Sequence, residues 1–337
     1  MSARIRLFGF LIGTALTAAI IIQSGPARLL ASIRAAGWVV LPLVALWGVV
    51  YLCNARAWQL LTRGGGSSLP FGRAWLITVV AFAINYGTPF VGLGGEPIKI
   101  AAAAPWLGPD RAAGTAVGYR LLHALSQVLV FIATLVPAAI LLPHTWAMAA
   151  GIGVTAVCLA AIAWFLLARH RAGLLEAGVD GLLRLPFTRR FRNHLERWQP
   201  RLRELDHEIT AIHREDPARF RHALGIETAG RVLSTLEFAV ILVGLGRPGN
   251  VWQALVIANF SSLVINLLFF LPFELGAKEG GVYVMFQWLG LDPALGAAAA
   301  LLSRVRELVW MGLGIAGLLL LRRRAPGQGP DAECRIR

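Results

Sequence analysis

Residues 7–27, 35–55 and 124–168 contain no Asp, Glu, Lys or Arg. The hydrocarbon core of a bilayer, about 30 Å thick, takes about 20 apolar residues in a helix. A helix suits that depth because it satisfies its own backbone hydrogen bonds. Each of these runs is long enough. A soluble domain carries about 25% charged residues, whereas this chain carries 15%, with 57% hydrophobic. The expected class is an all-α integral membrane protein.

The hydrophobic pattern predicts eight membrane helices, near 5–25, 37–55, 73–91, 113–142, 146–168, 221–246, 251–271 and 293–321. Two further segments, 92–110 and 272–291, are short, glycine-rich and charged. They read as broken or re-entrant helices, tolerated at membrane depth only where protein or a water-filled cavity surrounds them. The domain reading follows: a first membrane repeat over 1–142, a second over 143–322 with an inserted cytoplasmic amphipathic arm at 169–222, and a disordered tail over 323–337.

The net charge of +14 sets orientation, because basic residues collect on the cytoplasmic side of membrane spans. Arg4 and Arg6 precede the first span, which reads as a retained helix. Arg56, Arg63 and Arg73 lie in the second loop, twelve arginines in 169–222, and Arg322, Arg323 and Arg324 after the last span. A multi-pass protein of the cytoplasmic membrane with both termini inside is expected. Arg28 and Arg34 fall on the outer side and read as flanking a short interfacial helix. No nucleic-acid-binding motif accompanies the positive charge.

In the arm, Phe191, Leu195, Trp198, Leu202, Leu205, Ile209 and Ile212 form a heptad-like stripe. Pro200 interrupts it and Pro217 ends it. The stripe suits a connecting helix lying on the membrane or the protein body, or a short dimerising coiled coil. Cys53, Cys158 and Cys334 are widely spaced and show neither a disulfide framework nor metal-ligand spacing. No metal or cofactor is expected.

The two broken segments repeat a pattern. The first reads N85-Y-G-T-P-F-V-G-L-G-G-E96-P-I-K99 and is followed by Arg120. The second reads N266-L-L-F-F-L-P272-F-E-L-G-A-K278-E279-G-G and is followed by Arg304. Pro89 to Glu96 and Pro272 to Glu279 are both seven residues, and the arginines follow the glutamates by 24 and 25. Lys99 and Lys278 are the only lysines among 32 basic residues, and each lies beside one of these glutamates. The spacing points to an internal duplication of opposite orientation. Inverted repeats are a common transporter plan, with the site at mid-membrane between discontinuous helices.

A buried charge costs at least about 2.5–3.5 kcal/mol at the bilayer centre, so these groups must face partners or an aqueous cavity. Glu96, Lys99, Arg120, His123, Lys278, Glu279, Arg304 and Glu307 are the candidate substrate-contacting residues. Pro89, Gly94, Gly95, Pro272, Gly276 and Gly280 form the structural motif around them. Arg120, His123 and Gln127 share one helix face, Arg304 and Glu307 share another, and Glu227 and Arg231 form an i, i+4 pair. Two readings stay open: the charges pair with one another and lock the helices, or they line a polar cavity for an amphiphile. His123 also suits a plain interhelical hydrogen bond. The G92-L-G-G95 run lacks the βαβ context of a dinucleotide fingerprint, and no metalloprotease, nucleophile-elbow or P-loop signature is present.

The G94-G95-E96-P-I-K99 segment, with an arginine in the next helix, resembles the first signature of the flippase-like family. That family is also called the lysylphosphatidylglycerol synthase transmembrane region. The P272-x-x-x-G276-x-x-E279-G-G segment, with L289-G290 and Arg304, resembles its second signature, so the resemblance runs over about residues 5–322. It implies a stand-alone lipid-translocating module without aminoacyltransferase activity, with membrane lipids as ligands. Its second signature looks closest to the hopanoid-associated branch. Lys278 stands where the family commonly has glycine, which argues against a simple cationic lipid. The competing expectations are an accessory scaffold for a lipid-biosynthetic enzyme partner, docking through the arm, and a membrane-embedded transferase.

Overall fold

A computed structural model describes residues 3–64, 68–87, 94–169, 216–268 and 274–323. These residues are helical almost throughout and contain no β-strand. Pro89, Pro272, residues 170–215 of the 169–222 arm and residues 324–337 of the tail lie outside the described residues.

Helix α1 (Ala3–Ser24) turns at Gly25 into α2 (Pro26–Ala36), which carries both Arg28 and Arg34. Pro26 opens α2, a position where proline's missing N–H removes no helical bond. A 3-10 turn (Gly37–Val39) leads into α3 (Val40–Thr62). Helix α3 runs seven residues past the predicted end at 55. The segment 56–62 holds no helix breaker, and Gln59 and Thr62 find partners inside the protein. Thr62 Oγ1 donates to the Gln59 carbonyl at 2.8 Å, and Gln59 Nε2 donates to the Leu69 carbonyl at 3.1 Å. Reading the end from the first charge, Arg56, mistook a polar residue for a helix stop.

Then come α4 (Phe71–Gly87), α5 (Glu96–Leu107), α6 (Pro109–Leu141), α7 (Trp146–Arg169), α8 (Pro217–Gly244), α9 (Val251–Leu267), α10 (Ala277–Trp288) and α11 (Pro293–Arg323). The broken segments thus contain two short helices, α5 and α10, of 12 residues each. Gly108, at φ 80°, joins α5 to α6 in a conformation only glycine adopts freely. Asp216 caps α8 by accepting the Arg219 N–H at 2.9 Å, which holds its carboxyl below the usual carboxylate range.

Pro26–Thr62, Pro109–Leu141 and Trp146–Leu166 are long and apolar enough to cross a membrane. Phe71–Gly87 and Val251–Leu267 are shorter apolar helices. Leu41, Val157 and Trp164 are 77%, 71% and 72% exposed. Scattered over whole helices, such side chains suit a hydrocarbon solvent and not water.

Helix α3 packs along α8, α11 along α4, and α9 along α6, while α5 leans on α6 and α10 sits between α9 and α11. Two apolar cores result. One gathers Leu43 of α3 with Ile241, Leu242, Ile257, Met285, Phe286 and Leu302. The other gathers Trp58 and Leu61 of α3 with Ile77, Ala103, Leu122 and Ala223. Helices α3 and α8 contribute opposite ends to these cores. Their middles, between Trp47 and Asn54 and between Glu227 and Glu237, are left for a polar belt.

The α4–α11 contact depends on small residues. A Cβ on Gly314 would lie 2.5 Å from the Ala83 Cβ and 2.6 Å from the Val79 carbonyl oxygen. Gly314→Val is expected to destabilise by about 1–3 kcal/mol through overpacking, read as a lower melting temperature in detergent. Gly153→Ala, where a Cβ meets nothing within 4 Å, is expected to be neutral or mildly stabilising.

Candidate functional site

A cavity of about 230 Å³ opens in the polar belt. Its ionisable lining includes Glu96, Lys99, Arg120, His123, Glu227 and Arg231, with Trp47, Tyr51, Asn54, Asn85, Tyr119 and Ser234 around them. The first repeated motif builds it directly. Gly95 is pressed against α4: a Cβ there would lie 2.5 Å from the Ala81 carbonyl oxygen. This close approach lets the Gly95 N–H donate to Asn85 Oδ1 at 2.6 Å. Glu96 then opens α5, where a carboxylate is favoured by the positive end of the helix dipole. Lys99 follows one turn later, 3.6 Å from Glu96 Oε1.

Lys99 is only 5% exposed. Its ammonium lies 4.4 Å from the Tyr119 ring centroid and 5.5 Å from that of Trp58. These aromatic faces replace part of its lost hydration. Glu96 Oε2 is buried and has no hydrogen-bond partner among the described residues. A buried carboxylate oxygen in that condition forgoes roughly 1–3 kcal/mol of bonding, so it marks a place where a bound group would be stabilised.

On the far wall, His123 lies between two charges of α8. Its Nδ1 is 2.6 Å from Glu227 Oε1, and Arg231 reaches its Nε2. A tautomer with its proton on Nδ1 satisfies both contacts. Tyr119 donates to Glu227 Oε2 at 3.1 Å, and Arg231 also donates to Gln127. The Arg120–His123–Gln127 face is thus turned toward α8, and Glu227 and Arg231 are held through His123.

The second motif is used differently. The Gly276 N–H, at φ 78°, donates to Glu279 Oε2 at 2.9 Å, so this glutamate caps its own helix. Arg304 binds both oxygens of Glu279, the Glu274 carbonyl at 3.0 Å and the Tyr86 hydroxyl at 2.9 Å. Glu307 accepts from Tyr86 at 2.8 Å and pairs with Lys278, which also donates to Ser303. Arg306 donates to both oxygens of Glu237 at 2.9 Å and stacks 3.8 Å from the Trp47 ring centroid. Glu237, Glu279 and Glu307, with Glu274 nearby, therefore face Lys278, Arg304 and Arg306 in a dense charge network.

The eight candidate residues thus divide. Glu96, Lys99, Arg120 and His123 line the cavity; Lys278, Glu279, Arg304 and Glu307 are not in that lining and form the network beside it. Gly94 and Gly95 lie in the turn before α5, Gly276 precedes α10, and Gly280 lies within α10. Tyr86 of α4 contacts the network, and Trp47 borders the cavity while touching Arg306 and Glu237. Neither stood out in sequence, because an aromatic residue in an apolar helix carries no periodic signal. Asn85 opens the first motif, and its partner, the Gly95 N–H, is visible only in three dimensions. Among the described residues, no group of three or more His, Cys, Asp or Glu side chains could hold a metal ion.

No solved structure matches the chain. A UPF0104 membrane protein of Methanothermobacter thermautotrophicus is 25% identical over 320 residues, covering 91% of this chain and 93% of that protein. The family model described as the lysylphosphatidylglycerol synthase TM region matches residues 6–316. With that match spanning most of its length, the chain belongs to the lysylphosphatidylglycerol synthase TM-region family.

Proposed function

We propose that the protein is a lipid transporter, moving an amphiphilic lipid across the cytoplasmic membrane through the polar cavity. The observation that carries this reading is a cavity lined by five charge-bearing side chains, with one Glu96 oxygen that has no hydrogen-bond partner among the described residues, between two apolar cores of a lipid-facing bundle. Charges placed there are costly unless a polar ligand or water visits them.

The reading includes inverted repeats, in which α3 to α6 correspond to α8 to α11. The packing supports this. Helices α3 and α8 meet each other, and α4 meets α11 as α9 meets α6. A pseudo-twofold axis would generate this set of exchanged partners. With eight spans and both termini cytoplasmic, the two short helices α5 and α10 would enter from opposite faces. The protein then needs no catalytic group of its own.

The test is a leaflet-asymmetry assay in reconstituted vesicles, run across candidate lipids. Wild type is expected to equilibrate at least one lipid well above protein-free vesicles. Glu96→Gln is expected to slow this by about tenfold or more with the fold retained, which corresponds to a loss of about 1.4 kcal/mol at the barrier. Glu279→Gln is expected to lower the melting temperature as well, because it weakens the grip on Arg304. Wild-type protein that moves no candidate lipid faster than empty vesicles overturns the proposal.

A further inference from the structure

We infer that the ligand is an anionic, phosphate-bearing lipid, with its headgroup among Arg120, His123 and Arg231 and its hydrocarbon tail in a groove between α6, α7 and α9. This rests on the lipid-transport reading and specifies its substrate class. Two independent observations carry it.

The first is charge. The cavity lining holds three basic side chains, Lys99, Arg120 and Arg231, and two carboxylates, Glu96 and Glu227. Glu227 is already engaged by Tyr119 and His123, and Glu96 lies against Lys99. By formal charge the lining thus has a positive excess, and arginine, the side chain whose planar fork matches phosphate oxygens, supplies two of its three basic groups. Arg231 Nε is buried and has no hydrogen-bond partner among the described residues, although the same guanidinium contacts Gln127 and His123. The neighbouring network, where Glu237, Glu274, Glu279 and Glu307 meet Lys278, Arg304 and Arg306, shows no positive excess, so the surplus belongs to the cavity.

The second is a groove of about 520 Å³. Phe131, Thr134, Leu135 and Ala138 of α6 line it with Gly151 of α7 and Leu263 of α9. At 3.6 residues per turn, Arg120, Gln127 and Thr134 fall on one face of α6, and so do residues 131 and 138. The groove therefore continues the polar stripe, about 16 Å along the axis from His123 to Thr134.

Its few polar side chains are turned away. Thr134 donates to the Val130 carbonyl at 2.7 Å, Thr155 to the Gly151 carbonyl at 2.8 Å, and Asn259 to the Leu255 carbonyl at 2.9 Å. The wall they leave suits hydrocarbon and gives a polar group little to bond. Gly151 lines the groove at an open position, where a Cβ would meet nothing within 4 Å. A polar pocket followed along one helix face by an apolar groove matches one headgroup followed by one tail.

The experiment is lipid binding to the purified, delipidated full chain in detergent, read by native mass spectrometry. The probes are phosphatidic acid, phosphatidylcholine of the same chains, and glycerol 3-phosphate as a headgroup without a tail. Phosphatidic acid is expected to bind at least about tenfold more tightly than phosphatidylcholine, and glycerol 3-phosphate is expected not to displace it. Arg120→Gln is expected to remove the headgroup preference.

Gly151→Phe fills the groove from an open position, so it should fold, and it is expected to weaken phosphatidic acid binding about tenfold. Equal binding of the two lipids overturns the inference. So does displacement by glycerol 3-phosphate alone, or unchanged binding to Gly151→Phe, which would mark the groove as filled by bulk lipid. Selective binding without transport overturns the transport reading and leaves the ligand class standing. Transport with no anionic preference does the reverse.

Discussion

Glu307→Ala is expected to cause the largest loss of stability of any single substitution in the bundle. Glu307 is 6% exposed and is where the second network converges. It accepts from Tyr86, pairs with Lys278, and lies 3.4 Å from Arg306 and 3.7 Å from Arg304. Removing it takes away the carboxylate that Lys278 pairs with in a dry interior. Breaking a buried pair from one side costs about 3–5 kcal/mol, because the stranded charge has neither partner nor water. Lys278→Met should cost less, since Glu307 keeps Arg304, Arg306 and Tyr86. Thermal unfolding in detergent, followed by tryptophan fluorescence, should place Glu307→Ala well below Lys278→Met. The reverse order would mean that Glu307 does not organise the network.

Arg306→Ala is expected to lose a similar amount, about 3–5 kcal/mol, for a more local reason. Arg306 is 2% exposed and occupied by Glu237 and the face of Trp47. Truncation strands Glu237 with only the Trp47 indole N–H, at 2.9 Å. The double replacement Arg306→Met with Glu237→Leu removes both charges and refills the volume. It should recover most of the loss, since replacing a buried pair by apolar residues is often neutral or stabilising. A double-mutant cycle measures this. No recovery would show that Arg306 acts mainly through Glu307, 3.4 Å away.

The helical bundle was legible because long uncharged runs allow few alternatives. The starts of helices were less so. Pro109 and Pro217 open α6 and α8, earlier than the apolar pattern alone suggested at 113 and 221. Both prolines occupy first-turn positions, where proline is favoured. The candidate residues were legible as a class, because a charge among glycines in an apolar chain has few bland explanations.

Their division into a cavity and a closed network was not legible. Glu96 and Glu279 have the same spacing to proline and nearly the same to arginine, yet only Glu279 caps its own helix. The difference is set by Asn85, which takes the Gly95 N–H in the first motif. It is also set by Arg304, which occupies both oxygens of Glu279 in the second. Likewise, Glu227 and Arg231 read as a simple i, i+4 pair, whereas His123 inserts from α6 and contacts both. Such choices depend on which helices meet, and a duplicated sequence pattern carries no record of them.

The most direct test of a lipid passage through the cavity is to plug it reversibly. Ser234 lines the cavity, and its hydroxyl donates to the Arg231 carbonyl of its own helix at 2.7 Å. Ser234→Cys in a background lacking Cys53, Cys158 and Cys334 therefore places one thiol in the passage at little structural cost. Labelling it with a bulky methanethiosulfonate reagent in reconstituted vesicles should lower lipid transport to the protein-free rate, and reduction should restore it. Transport continuing at the unlabelled rate with the thiol fully modified would contradict a route through this cavity.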